Sequence, residues 1–199
     1  MEVTGMLVVL EGLEGVGKTT LGSMAAERLE LPYIKSPPPE LNPVRDFIAR
    51  TPDAEAGFYF YLAGLYAIQS KITAGISQKG AVIVDRYLAS TIAYWDAGES
   101  FVPPAHDTDR LLVPDLTILI TCDEETRLSR VGSRGFHIFE RRSVNERAIE
   151  TFLKTCCNET FVNDGNLDHS VERLCALIRS RLHEHEQAFR QDAGHQPTL

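Results

Sequence analysis

Short, uninterrupted apolar runs alternate along the chain with longer segments whose apolar residues recur at helical spacing. Residues 7–10 are wholly apolar and open onto a glycine-rich turn. They read as a buried strand, and 17–30 reads as a helix with Leu21, Met24, Ala25, Arg28 and Leu29 on its inner face. Residues 31–35 form a second short strand. SPPPELNP, carrying Pro37, Pro38, Pro39 and Pro43, is expected to hold no regular structure, because each proline removes a donor and fixes φ. A short helix over 44–50 and a long one over 53–79 come next, the latter ended by Gly80. The third strand is 81–84, with Asp85-Arg86-Tyr87 at its carboxyl end, and 88–97 reads as helix. The fourth strand is Leu116–Thr121, followed by a helix over 124–131. Residues 132–142 are rich in glycine and arginine and show no apolar period. Ser143 and Glu146 suggest a capping box for a helix running to about Asn158. A last strand over 160–162 and an amphipathic helix over 168–190 complete the pattern, and 191–199 is expected to be a disordered tail.

This alternation predicts an α/β fold with a mainly parallel sheet, in a single domain over 1–190 without internal repeat or linker. With 199 residues, 43% of them hydrophobic and 24% charged, the chain is long enough to bury a good core. The formal charge of −8 argues against a nucleic-acid surface, and no apolar run approaches the roughly 18 residues of a membrane span. The N-terminus lacks the basic region of a signal peptide, and the four cysteines form no C-x-x-C pair. Reduced thiols and a cytoplasmic location are the expectation.

The chemistry centres on Gly12, Gly17, Lys18 and Thr19, which fit G-x-x-x-x-G-K-[ST] between a strand and a helix. Glycines let the backbone wrap a phosphate, and the new helix adds its positive end. Gly12, Leu13, Glu14, Gly15, Val16, Gly17, Lys18, Thr19 and Thr20 therefore form the candidate nucleotide site. Lys18 reaches the outer phosphates and Thr19 ligates Mg²⁺. In a parallel sheet, ligands collect beyond the carboxyl ends of the strands. That edge gathers Lys35, Asp85 and Arg86, and the arginine-rich segment with Arg127, Arg130, Arg134, Arg141 and Arg142. A phosphate nest facing several cations suits phosphoryl transfer to an acceptor that is itself phosphorylated. A GTPase would carry N-K-x-D and D-x-x-G, and neither is present. A motor-type ATPase with Asp85 as its acidic strand-end residue remains open. His183 and His185 diverge on their helix and suggest no metal site.

LEGLEGVGKTT, VIVDRYLASTIAY, VPDLTILI and the arginine-bearing segment near 130–140, in that order and spacing, resemble the thymidylate kinase family of nucleoside monophosphate kinases. The resemblance covers roughly residues 6–178. It implies a P-loop three-layer fold with a five-stranded parallel sheet flanked by helices, a short arginine-rich lid over about 132–142, and homodimerisation. It also implies transfer of the γ-phosphate of ATP to dTMP with Mg²⁺. Residue by residue, Glu14 resembles the acidic loop residue near the acceptor sugar. Arg86 resembles the arginine on the acceptor phosphate, and Asp85 its metal-side partner. Arg45 resembles a second monophosphate contact, Tyr61 the aromatic on the base, and Tyr94 the one on the deoxyribose. Gly15 stands where some members carry an arginine; such members rely on lid arginines, here Arg130 and Arg134. Lys35 opens the acceptor loop as KSPPP instead of REPGG. Leu65 occupies the position of an arginine that reads the base edge, Trp95 that of a polar base contact, and HIFE that of the lid's D-R-x-E. The acceptor is thus dTMP or a related (deoxy)nucleotide. A deoxynucleoside kinase, a kinase for a non-thymine base from a specialised pathway, and a non-catalytic nucleotide-binding protein are the alternatives.

Overall fold

The computed structural model describes residues 5–51, 53–96, 99–134 and 145–193, the last two residues of the latter two stretches by backbone alone. In chain order the elements are β1 (Met6–Glu11), α1 (Lys18–Leu29), β2 (Tyr33–Lys35), α2 (Asn42–Arg50), α3 (Ala54–Lys79), β3 (Ala81–Asp85) and α4 (Leu88–Trp95). β4 (Leu116–Thr121), α5 (Glu124–Arg134), α6 (Glu146–Cys156), β5 (Glu159–Val162) and α7 (Leu167–Ala193) follow. The five strands form one parallel sheet in the order β2-β3-β1-β4-β5.

The apolar runs explain that order. β1 and β3 are buried at every position and lie inside the sheet, whereas the edge strands β2 and β5 are partly exposed. Side chains alternate between faces. Met6, Val8, Leu10 and Ile83 pack with Leu21 and Ala25 of α1 and Val171, Leu174 and Ile178 of α7. Leu7, Val9, Val82 and Val84 pack instead against Phe58, Leu65, Ile68, Ile72 and Ile76 of α3. Helices on both faces complete the three-layer α/β architecture.

Several boundaries differ from the sequence expectation, each for a local reason. The proline stretch holds a 3₁₀ turn at Pro39–Leu41 and lets α2 start at Asn42. Prolines in a first helical turn lose nothing, since those N–H groups have no intrahelical acceptor. α6 is capped by Asn145, whose side chain accepts from the Ala148 N–H at 3.1 Å; Ser143, the expected cap, lies outside the described residues. α5 runs to Arg134, so the lid assigned to 132–142 begins within a helix, and its remainder lies outside the described residues. α7 continues past the expected end to Ala193, and 194–199 lies outside as well. At α3 the expected signals act directly: Asp53 caps the start by accepting from Glu55 N–H at 2.9 Å, and Gly80 ends it at φ 76°.

The sheet register places the chemistry. Lys35 pairs with Asp85, and Asp85 with Leu10, so the ends of β2, β3 and β1 lie side by side at the mouth of the glycine-rich loop.

Candidate active site

The loop between β1 and α1 holds backbone conformations only glycine adopts freely: Gly15 lies at φ 82° and Gly17 at φ 93°. A Cβ on Gly15 would sit 2.7 Å from the Arg127 carbonyl oxygen and 2.7 Å from Val131 Cγ2. α5 therefore packs directly on the loop, and an arginine at position 15 would have to displace it. Arg130 instead reaches the loop from α5, its Nη1 3.5 Å from the Gly15 carbonyl oxygen. The Arg134 side chain, and all of Arg141 and Arg142, lie outside the described residues.

Two buried residues brace the loop from behind. Asn163, which follows β5, donates to the Val16 carbonyl at 2.8 Å. Arg127, its side chain 3% exposed, donates to Glu124 and Glu146 and, at 3.3 Å, to the Glu14 carbonyl. The bidentate carboxylate contacts, Glu124 above all, outweigh burial and raise the Arg127 pKa.

Lys18, the first residue of α1, is buried and donates to the carbonyls of Gly12 at 2.9 Å and Leu13 at 2.6 Å. Burial, then the charge of Arg86, lowers its pKa to about 7. A neutral amine still supplies the two N–H groups those carbonyls take up. An arriving phosphate would return the proton and draw the ammonium outward.

Beside it, the Thr19 hydroxyl donates to Asp85 Oδ2 at 2.7 Å, and the Tyr33 hydroxyl donates to the same oxygen at 2.8 Å. Burial and the Asp85 charge push the Tyr33 phenol well above its usual value, keeping it a donor. Asp85 Oδ1 is buried with no donor among the described residues. A hydroxyl and an unsatisfied carboxylate oxygen at the foot of a phosphate loop match the oxygen ligands Mg²⁺ takes, most of whose other sites stay with water and phosphate. Among the described residues no three His, Cys, Asp or Glu gather as a metal cage.

Across the loop, Arg86 follows β3 at φ 69°. Its Nη2 donates to Glu14 Oε1 at 2.9 Å and its Nη1 to Ser90 Oγ at 3.0 Å, while its guanidinium lies 5.0 Å from the Tyr94 ring centroid. Burial opposes the charge, but Tyr94, Glu14, Asp85 and Glu11 together raise the Arg86 pKa. Tyr61 is drawn into the same cluster. Burial raises its phenol pKa, the charge and hydrogen bond of Arg45 lower it, and Arg86 and Glu14 lie near enough to bias it. Glu14, Arg45, Tyr61, Arg86 and Tyr94 thus form one wall of linked side chains, with Arg86 and Glu14 near enough to Lys18 to bias its charge.

Three sequence candidates stand apart from that wall. Lys35 is exposed at the end of β2 and makes no ion pair among the described residues. Leu65 is fully buried in α3 against the sheet, so it presents no surface to a ligand. Trp95 packs edge-on against Phe58 at 6.4 Å, and its buried indole N–H has no partner among the described residues. The geometry adds Tyr33, Glu11 and Asn163 as supports that sequence reasoning assigned no site role, and it makes Arg127, expected among the cations of the arginine-rich segment, a brace behind the loop. The one readable signal was Glu11, an acid ending an otherwise apolar strand.

Residues 10–174 match the family model described as thymidylate kinase. The thymidylate kinase of Carboxydothermus hydrogenoformans is 33% identical, the match covering 81% of this chain and 89% of that one. The human mitochondrial UMP-CMP kinase 2 is 38% identical over 139 residues, 65% of this chain and 30% of that protein. In fold, the Candida albicans thymidylate kinase structure superposes with a TM-score of 0.69 at 20% identity, covering 89% of this chain and 92% of its own.

Proposed function

The chain belongs to the thymidylate kinase family, and from that premise we propose that it transfers the γ-phosphate of ATP to dTMP or a closely related pyrimidine nucleoside monophosphate, giving the diphosphate. The observation that carries this reading is the 2.9 Å ion pair between Glu14 and Arg86. It joins the donor loop to an arginine on the acceptor wall, so both phosphates would meet at one point. In the proposed reaction the loop amides and Lys18 hold the donor phosphates, and Arg86 with Arg45 binds the acceptor phosphate. Arg130 and Arg134 would neutralise charge on the group in flight. Mg²⁺, held at Thr19 and Asp85, would supply charge neutralisation on the donor phosphates. Tyr61 and Tyr94 would face the acceptor's base and sugar.

A second reading keeps the chemistry and changes the base to uracil or cytosine. It is favoured by the human UMP-CMP kinase similarity. ADP production scanned over dTMP, UMP, CMP and the matching nucleosides tests both. Turnover restricted to nucleosides would reject both.

The assembly proposed is a homodimer. The outer face of α3 leaves the small side chains of Ala63, Ala67, Ser70 and Ala74 exposed, and Phe47 of the neighbouring α2 is 71% exposed. A second copy would cover them, and light scattering at twice the chain mass tests it. The location proposed is cytoplasmic, in keeping with cysteines that are all free. Among the described residues no helix is long and apolar enough to cross a membrane.

A further inference from the structure

Glu11 closes β1 with a carboxylate that is 0% exposed, an expensive placement for a charge unless donors surround it. They do. Glu11 Oε1 accepts from the backbone N–H of Tyr87 at 3.0 Å and, more loosely, of Ser90 at 3.3 Å, while Oε2 accepts from the Ser90 hydroxyl. Tyr87 and Ser90 bracket the first turn of α4, whose own N-cap residue offers no side-chain cap. The carboxylate therefore caps that helix from a neighbouring strand.

Ser90 Oγ lies between two charged groups. Arg86 can only donate and an ionised Glu11 can only accept, so the hydroxyl has one consistent orientation. It accepts from Arg86 Nη1 at 3.0 Å and gives its single proton to Glu11. Burial raises the Glu11 pKa, opposed by Ser90, Arg86 and the Tyr87 N–H. The chain Glu11–Ser90–Arg86 holds the guanidinium from below while Glu14 holds it from the loop and Tyr94 from its face.

We propose that Glu11 is a positioning residue for the acceptor phosphate: through Ser90 it fixes the guanidinium of Arg86 in its binding geometry. The proposal rests on the reading of Arg86 as the acceptor-phosphate ligand. It predicts a selective defect. Glu11→Gln keeps the side-chain shape but takes away the acceptor that holds the Ser90 proton, so the hydroxyl is no longer fixed in the one orientation that accepts from Arg86; this should loosen Arg86 while leaving the hydrogen bonds of the donor loop in place.

The test combines steady-state kinetics with NMR of the Arg86 guanidinium N–H groups, on the full chain, for Glu11→Gln, Ser90→Ala and the double variant. The acceptor KM should rise about tenfold in each single variant while the ATP KM stays within about twofold. The double variant should be no worse than the poorer single one, because both act on one path. Arg86 N–H exchange should quicken in each, and Ser90→Thr should restore the wild-type values. Additive effects, equal shifts in both KM values, or unchanged Arg86 exchange would overturn the proposal. Arg86→Ala separates the premises. If it leaves the acceptor KM unchanged, the acceptor reading falls and this proposal with it. If it raises that KM while Glu11→Gln and Ser90→Ala do not, this proposal alone falls. Should Glu11→Gln fail to fold, Ser90→Ala decides by the same criteria.

Discussion

Thr19 and Asp85 meet at 2.7 Å, hydroxyl to carboxylate, at the start of α1 and the end of β3. The parallel β1–β3 register makes the meeting possible, since Asp85 pairs with Leu10 just before the loop begins. With Oδ1 unsatisfied among the described residues, the pair fits the oxygen ligands of the proposed Mg²⁺ or its bound water. Asp85→Asn should therefore weaken Mg²⁺ activation by about 10- to 100-fold. A magnesium titration of turnover at saturating ATP measures this, and an unaltered curve would make the pair structural only.

Lys18 gives a pH signature. Its pKa of about 7 in the free protein lies far below the ordinary lysine value, because burial and Arg86 disfavour the ammonium. Nucleotide phosphates favour the charged form, so binding raises the pKa. At about pH 6 Lys18 is already protonated and binding takes up little; at about pH 8 it should take up about one proton. Affinity for ATP should then fall as pH rises above about 7. Calorimetry in two buffers of different ionisation enthalpy reads the uptake directly. Lys18→Ala should abolish it, and identical heats in both buffers on the alkaline side would contradict the assignment.

At Gly15 two costs coincide: φ is 82°, and a Cβ would contact the Arg127 carbonyl oxygen at 2.7 Å. Gly15→Ala should lose about 1–3 kcal/mol of stability from backbone strain alone. It should also raise the ATP KM, because relief requires the loop or α5 to shift. Urea unfolding and ATP kinetics check the two effects separately. Wild-type values in both would show that the loop tolerates a side chain there.

Much of the fold was legible because its signals are local. β4 matches its apolar run to the residue, and the strand–loop–helix of the phosphate site follows directly from glycine spacing. What stayed hidden depends on residues distant in sequence. Glu11 meets Ser90, 79 positions later, and Asn163 meets Val16 across 147. No local period announces such partners. Leu65 shows the converse error: alignment with a base-reading position placed it at the ligand, whereas α3 turns it wholly into the core.

That placement is testable. Leu65→Arg should not install a base contact. It would bury an unpaired guanidinium against Leu7 and Val84, costing several kcal/mol and yielding a poorly folded protein. Thermal unfolding and solubility decide. A stable variant with altered base preference would return position 65 to the acceptor pocket.

The most direct test of the central claim follows labelled γ-phosphate from ATP in the presence of dTMP, UMP, CMP and the corresponding nucleosides, with products separated by charge. The account predicts label in a nucleoside diphosphate, formed from a pyrimidine monophosphate and lost with Arg86→Ala. Label appearing only in inorganic phosphate, or only in a monophosphate formed from a nucleoside, would contradict it.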